Sequence, residues 1–379
     1  MRVVTADLFQ PGGKAQILRL ETADGLVGWG EPLLEGRPRT TETAVRELLE
    51  GAIFDADAGR IEARWQEMYR GGFYRGGPVL QSALAGIDQA LWDLKGKRHG
   101  ASVADLLGGP VRDRVRMYRW IHGETPGDVA ESARTARDAG FRSFKMNATA
   151  VPLRRAESPA AIDQVASRVS AARDVVGREA DLAVDFHGRV AKGLAPRVLA
   201  ALEPFDPFFV EEPVLPTNLD ALPAIDATTS IPLATGERLF GRWDFKPVLE
   251  SGALDVAQPD LSHAGGITEC RKIATMAAAY DVALAPHCPL GPVALAACLQ
   301  LDAVAPNALV QEQTALDDGL PKWVDNPEAF QLEDGFLPVL EGPGLGIDLD
   351  EDELRAETTA GANWTAPTWR HDDGSLAEW

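Results

Sequence analysis

Two hydrophobic periodicities divide the chain. Residues 16–22 alternate apolar and polar side chains, Asp24-Gly25 supplies a turn, and residues 26–30 resume the alternation, predicting an antiparallel hairpin. Residues 40–49 and 61–69 then take helical spacing. Leu80, Ala83, Leu84, Ile87, Leu91 and Leu94 predict a longer helix over 80–97. Strands followed by helices in this way make an α+β unit, predicted to span residues 1–113.

From Val115 the pattern changes. Eight short apolar runs, each ending in a polar or charged residue, occupy 115–121, 143–147, 182–187, 208–212, 232–237, 253–260, 282–287 and 308–312. Helical patterns such as 128–139, 161–176 and 267–280 lie between them. The polar run ends recur roughly every 25 residues, the spacing of strand–helix units in a TIM barrel. A modified TIM barrel over 114–325 is therefore expected. The longer interval from Lys145 to Asp185 predicts an insertion at 148–159. The last unit is expected to be irregular, because Asp317-Asp318-Gly319 follows it closely. The turn-rich segment 326–379, with Trp364, Trp369 and Trp379, is expected to pack back on the N-terminal unit.

In a barrel, side chains at the C-terminal strand ends converge on one mouth. Asp185, Glu211 and Glu237 end three consecutive runs. Any one of them could cap a helix or pair with an arginine. Three together repel strongly unless a cation lies between them. All-oxygen ligation suits Mg²⁺. His287 ends the seventh run and Asp260 the sixth, so the carboxylate can fix one imidazole nitrogen and raise the basicity of the other. His187 lies two residues past Asp185, on the same face if the strand continues. A hard cation disfavours nitrogen, so His187 is read as a proton donor and not a ligand. Lys145 and Asn147 share a face of the second run; Lys145 either contacts a substrate carboxylate or pairs with the acids. Trp120 and His122, at the end of the first run, are candidate substrate contacts.

Such a site suits removal of the weakly acidic proton beside a carboxylate, with the charge of the resulting enediolate stabilised by the metal. Lys145-Met146-Asn147 has no second lysine to act as an opposite-face base, which favours expulsion of a β-hydroxyl over racemisation. The glycine-rich stretch Gly71-Gly72-Phe73-Tyr74-Arg75-Gly76-Gly77 follows no strand and lacks the Lys-Ser/Thr of a phosphate loop.

Charge narrows the partners. The net charge is -20, from 37 basic and 57 acidic residues, which argues against nucleic acid and anionic membranes. The same field repels an anionic substrate unless a metal or local cations reverse its sign within the site. Arginine greatly outnumbers lysine, a pattern that salt adaptation and a GC-rich genome would both produce. No run approaches the roughly 18 apolar residues of a membrane span. The N-terminus lacks a secretory pattern, and Cys270, Cys288 and Cys298 form no paired motif, so a cytoplasmic setting is expected.

Longer motifs carry a resemblance: Val27-Gly28-Trp29-Gly30-Glu31-Pro32, Asp185-Phe186-His187-Gly188-Arg189, Glu211-Glu212-Pro213, Gly236-Glu237-Arg238, Gln258-Pro259-Asp260 running into Leu261-Ser262-His263-Ala264-Gly265-Gly266, and Ala285-Pro286-His287-Cys288-Pro289. Nearly end to end, the chain resembles the mandelate racemase/muconate lactonizing enzyme branch of the enolase superfamily, and within it the galactonate dehydratase group. The resemblance implies Mg²⁺ on Asp185, Glu211 and Glu237, with Glu212 outside the ligand set. It implies His287, helped by Asp260, as base at C2, His187 as the acid that expels the C3 hydroxyl, and Glu312 on the substrate carboxylate. The implied product is a 2-dehydro-3-deoxy acid and the implied assembly a homo-oligomer, commonly an octamer. The loops at 9–14 and 148–159 depart from the group's pattern, which keeps D-gluconate or several aldonates open beside D-galactonate. A racemase and a non-catalytic barrel are the competing classes; intact Asp185, Glu211, Glu237 and His287 speak against the latter.

Overall fold

A computed structural model describes residues 1–12, 15–155, 158–358 and 364–379. Three N-terminal strands, β1 (Val3–Phe9), β2 (Ile17–Thr22) and β3 (Val27–Gly30), form an antiparallel sheet in chain order. The β2–β3 turn closes as the sequence predicts, with Gly25 N donating to Thr22 O at 2.9 Å. Three helices follow: α1 (Pro38–Ala52), α2 (Ile61–Arg70) and α3 (Pro78–His99). α3 starts at a proline and stops at Gly100, which takes a left-handed conformation (φ 62). Leu18, Leu20, Val45, Leu49, Trp65, Leu84 and Leu91 pack into one apolar cluster between sheet and helices. The β3 and α3 backbones nearly touch: a Cβ added at Gly30 would lie 1.9 Å from the Gly86 carbonyl oxygen.

The barrel strands are β4 (Arg114–Ile121), β5 (Ser143–Asn147), β6 (Asp181–Asp185), β7 (Val210–Glu211), β8 (Leu233–Thr235), β9 (Val256–Ala257), β10 (Ala283–Leu284) and β11 (Gln311–Glu312). They lie side by side in chain order, all parallel, and β11 returns to pair with β4. The circle closes through a bridge from Leu284 to Ala308 and a 2.8 Å bond from Leu309 N to Leu284 O. Helices connect successive strands up to β11. After β11 the chain makes only a short 3-10 turn (Pro327–Phe330) before β12 (Phe336–Pro338), which runs antiparallel to β4. The fold is thus a modified TIM barrel of (β/α)₇β type among the described residues. Pro321 and Pro327 stand where an eighth helix would have to run. Tyr118, Ala183, Phe209, Ala234, Val256, Ala285 and Val310 fill the barrel interior, large beside small.

Hydrogen-bonded strands end earlier than the apolar runs. Glu237, Asp260 and His287 all lie beyond their strands. Pro259 and Pro286 lack the amide that would extend β9 and β10, and Gly236 takes φ 153, packed against the Gln258 backbone. β6 likewise stops at Asp185. His187 does not continue the strand alternation, as the sequence had suggested, but adopts φ 47 in a turn. The 148–159 connection runs beside the 187–190 turn, bridged at Leu153 to Val190; its residues 156 and 157 lie outside the described residues, as do residues 13 and 14 of the loop at 9–14.

The segment beyond β12 goes to two places. The helix Glu351–Glu357 meets the N-terminal sheet, with Glu351 2.8 Å from Arg19. The hairpin of β13 (Trp369–Arg370) and β14 (Leu376–Ala377) reaches the barrel mouth instead, where Arg155 bonds Asp373 at 2.7 Å. No described helix is long and apolar enough to cross a membrane.

The β3–α3 contact makes a stability prediction. Gly30→Ala should destabilise by about 1–3 kcal/mol through overpacking. Gly51→Ala, on an α1 position with no atom within 4 Å, should be neutral or stabilising by up to about 1 kcal/mol. Urea denaturation midpoints of the two variants check this; equal midpoints would contradict it.

Candidate active site at the barrel mouth

Strand register places the carboxylates. Asp185 is paired with Glu211 across β6 and β7, and Glu237 follows β8, the next strand round. Asp185 and Glu211 are fully buried; the Glu237 side chain is 12% exposed. Burial and then the Asp185 charge push Glu211 up to about 8, against the attraction of Lys145. Lys145 has no exposure, lies 2.7 Å from Glu211 Oε2 and 3.2 Å from Glu312 Oε1, and its pKa is raised well above the ordinary lysine value because these anions outweigh its burial. Of the two roles open to Lys145 from sequence, its contacts match pairing with the acids. Gln258 Nε2 donates to the same Glu211 oxygen at 2.8 Å. The other oxygen, Glu211 Oε1, is buried without a hydrogen-bond partner among the described residues.

Glu212 is held differently. It turns away at φ 42 and both its oxygens face Arg238, whose Nε donates at 2.8 Å. Adjacent acids thus have separate fates: Glu211 has a free oxygen in the mouth and Glu212 has none. Ligand atoms of Asp185, His187 and Glu237 lie within 4.8 Å of one another. The Asp185 and Glu237 oxygens of this cluster, with the orphaned Glu211 oxygen, fit a hard divalent cation, whose charge would offset the mutual repulsion of the three carboxylates. His187 lies in the same cluster, and its nitrogen suits a hard cation less well than the carboxylate oxygens do.

Two imidazoles flank the acids. His287 Nδ1 lies 2.7 Å from Asp260 Oδ2, while Asp260 Oδ1 accepts from Ser262 N at 2.6 Å. Its Nε2 faces inward, 3.2 Å from Glu237 and 4.0 Å from Glu312. Burial opposes charge on His287, yet Glu312, Glu237 and Asp260 raise its pKa well above the ordinary value. On the other flank His187 Nε2 lies 2.8 Å from Asp185 Oδ2. Burial opposes charge here too, but Asp185 prevails and lifts His187 to about 8. Its backbone N donates to Asp185 Oδ1 at 2.6 Å. The turn then needs Gly188, at φ 60, where a Cβ would lie 2.8 Å from Leu215.

The remaining sequence candidates also meet here. Trp120 Nε1 donates to Glu312 Oε1 at 2.5 Å, and Cys288 N donates to Glu312 Oε2 at 3.2 Å. Burial opposes ionisation of Glu312, but Lys145 and then His287 keep its carboxyl below the usual range. Asn147 sits beside Asp185 in the ladder with a buried Oδ1 that has no hydrogen-bond partner among the described residues. His122 is exposed and stacks on Trp120 at 6.1 Å.

Sequence reasoning passed over several neighbours. Gln258 was visible only as part of a motif. Arg189 and Trp379, which pack around His187, gave no periodic signal. His263 too was visible only as part of a motif, yet its Nε2 lies 3.2 Å from Glu35, its Nδ1 2.9 Å from Ser82 Oγ, and it stands 3.8 Å from Asp260. It therefore ties the loop after β3 and helix α3 to the Asp260–His287 pair. Burial opposes its charge but Asp260 and Glu35 lift it to about 9, while His263 outweighs burial to hold Glu35 at about 2. A raised histidine stabilises the fold fully below about 6.5 and loses this as pH rises through about 9; a depressed glutamate stabilises above about 4.5 and loses this as pH falls through about 2. The stability difference between wild type and Glu35→Gln should therefore be largest between about pH 4.5 and 6.5 and shrink toward pH 9. Thermal denaturation across pH checks it; a difference that does not vary with pH would contradict it.

Comparison with known proteins agrees with this architecture. Residues 13–108 match the mandelate racemase/muconate lactonizing enzyme N-terminal domain, and residues 128–353 match the enolase C-terminal domain-like family. The chain is 49% identical to a D-galactonate dehydratase of Variovorax paradoxus and 48% identical to one of Xanthomonas oryzae, covering 100% of both chains in each case. Among solved structures, a mandelate racemase/muconate lactonizing enzyme from Jannaschia superposes with a TM-score of 0.86 at 32% identity, over 96% of this chain and 99% of the other. An enolase superfamily member from Salmonella Typhimurium gives 0.84 at 28% identity, over 93% and 97%. With both halves matched in order and the barrel closed by the same strand sequence that carries the acids, the chain belongs to the mandelate racemase/muconate lactonizing enzyme family of the enolase superfamily.

Proposed function

We propose that this protein is a Mg²⁺-dependent hydro-lyase that dehydrates an aldonic acid, D-galactonate first, to a 2-dehydro-3-deoxy acid. The observation that carries the reading is the pair of imidazoles, His287 and His187, facing one carboxylate cluster from its two flanks. The names of the full-length relatives support the substrate class. Asp185, Glu211 and Glu237 would hold the metal; Arg238 keeps Glu212 out of the set. When bound, Mg²⁺ supplies positive charge beside the substrate carboxylate and so acidifies the proton at C2.

His287, oriented by Asp260, takes the C2 proton at Nε2. The electron pair left at C2 delocalises into the carboxylate as an enediolate. It then forms the C2–C3 double bond as the C3–O bond breaks, and the leaving hydroxyl takes a proton from His187 and departs as water. The enol so formed tautomerises to the 2-keto acid. Glu312, held by Trp120 and Lys145, would in its protonated form donate a hydrogen bond to the substrate carboxylate. Trp120, His122 and Asn147 line the approach, with the Asn147 Oδ1 available to a substrate hydroxyl. Racemisation has less support: Asn147 is no base, and Lys145 is engaged by Glu211 and Glu312. We also read the protein as a cytoplasmic homo-oligomer, an octamer in keeping with the family resemblance.

A library of aldonic acids assayed with Mg²⁺ for 2-keto-3-deoxy product should give turnover on D-galactonate, with D-gluconate the next acid to examine. Chelation should abolish turnover and added Mg²⁺ restore it. No turnover on any acid would sink the reading. His187→Asn should lower dehydration by about 100-fold or more while solvent deuterium still enters at C2; if exchange is lost as well, His187 does more than protonate the leaving group.

A further inference from the structure

The two imidazoles are held by different means. His287 has the usual device, a carboxylate on the nitrogen that does not face the reaction. His187 has none: its Nδ1 is buried and without a hydrogen-bond partner among the described residues. Its ring is instead bounded by two indoles. Trp120 stacks on it at 5.7 Å with the planes 20° apart, and Trp379 meets it nearly at right angles, 78°, at 6.2 Å. Trp120 is already fixed by its bond to Glu312. Trp379 comes from the far end of the chain and needs anchoring of its own.

That anchoring is visible. The buried Arg189 guanidinium lies 4.9 Å from the Trp379 ring centre while its Nη1 donates to Thr149 O at 3.2 Å. Arg154 donates to Gly188 O at 3.1 Å, in the His187 turn, and stands 3.8 Å from Glu378. Arg155 bonds both Asp373 and Ser375, at 2.7 and 2.8 Å. All these contacts join the β13–β14 hairpin to the long connection after β5 and to the turn that carries His187.

We infer that Trp379 is a positioning residue for His187, and that the connection beginning at residue 148 serves to clamp the β13–β14 hairpin so that its indole holds the imidazole toward the leaving group. The inference rests on the dehydratase reading and refines one step of it. Trp379 acts through His187 alone, so it bears on C–O cleavage and not on abstraction of the C2 proton by His287 across the mouth.

The test separates those two steps. In Trp379→Ala, dehydration kcat should fall by about 10- to 100-fold, while C2 deuterium exchange stays within about threefold of wild type. Trp379→Phe, which keeps an aromatic edge, should recover most of the loss. Arg155→Ala loosens the hairpin without removing any side chain that packs on His187 and should shift the same ratio of dehydration to exchange in the same direction, less far. In Trp379→Ala/Arg155→Ala the arginine change should add nothing further, because both act through one contact. Exchange and dehydration falling in parallel, or a ratio unchanged in both single variants, would overturn the inference. A wild type that neither exchanges nor dehydrates any aldonic acid would instead overturn the dehydratase reading, and this refinement with it.

Discussion

Everything at the barrel mouth depends on the cost of crowding negative charge into a buried volume. Asp185, Glu211, Glu237 and Glu312 converge there, and two like charges about 4 Å apart repel by about 4 kcal/mol at an effective dielectric of 20. Lys145 supplies the one buried ammonium among the described contacts of the cluster, set between Glu211 and Glu312. It cannot neutralise the whole set: burial and then the Asp185 charge still push Glu211 upward. A site built this way is stable only with further positive charge. His187 meets part of that demand, drawn toward Asp185, which raises its affinity for a proton.

Under the proposed function, the same constraint explains how a chain of net charge -20 would admit an anionic sugar acid. The field over the surface is repulsive, but the local balance inside the mouth would be set by the proposed cation, Lys145 and His187. Arg238 performs a separate sorting task. By taking both oxygens of Glu212 it removes one acid from the mouth, so that the Glu211-Glu212 pair at the end of β7 presents a single free carboxylate oxygen.

The N-terminal sheet and helices take part in this arrangement and do not simply cover it. Glu31 accepts the amides of Gly291 and Ala294 at the start of the helix after His287, at 2.9 and 3.0 Å. Asp88 on α3 accepts from Thr268 N at 2.9 Å, and Gln89 donates to Ser262 at 3.0 Å. Glu35 and Ser82 hold His263 behind Asp260. Each bond crosses from the first hundred residues to the loops that bear Asp260 and His287. The position of His287 is therefore a property of both halves of the chain.

Sequence determined the barrel and its rim because both are periodic. Strand–helix alternation repeats, every strand end points to one mouth, and Asp185, Glu211, Glu237, Asp260 and His287 could be placed there from spacing alone. It also determined the N-terminal hairpin, since Asp24-Gly25 between alternating runs has few other solutions. What it could not decide was anything set by non-repeating contacts. Strand alternation could not place His187, whose position comes from a left-handed turn that needs Gly188. Separating Glu211 from Glu212 by contacts required Arg238 and Gln258, which no local pattern links to them. The partners of His263 and the approach of Trp379 to His187 join residues remote along the chain. Periodicity records which face a residue shares with its neighbours in sequence; only the closed barrel, with its two ends folded back, decides what stands opposite that face.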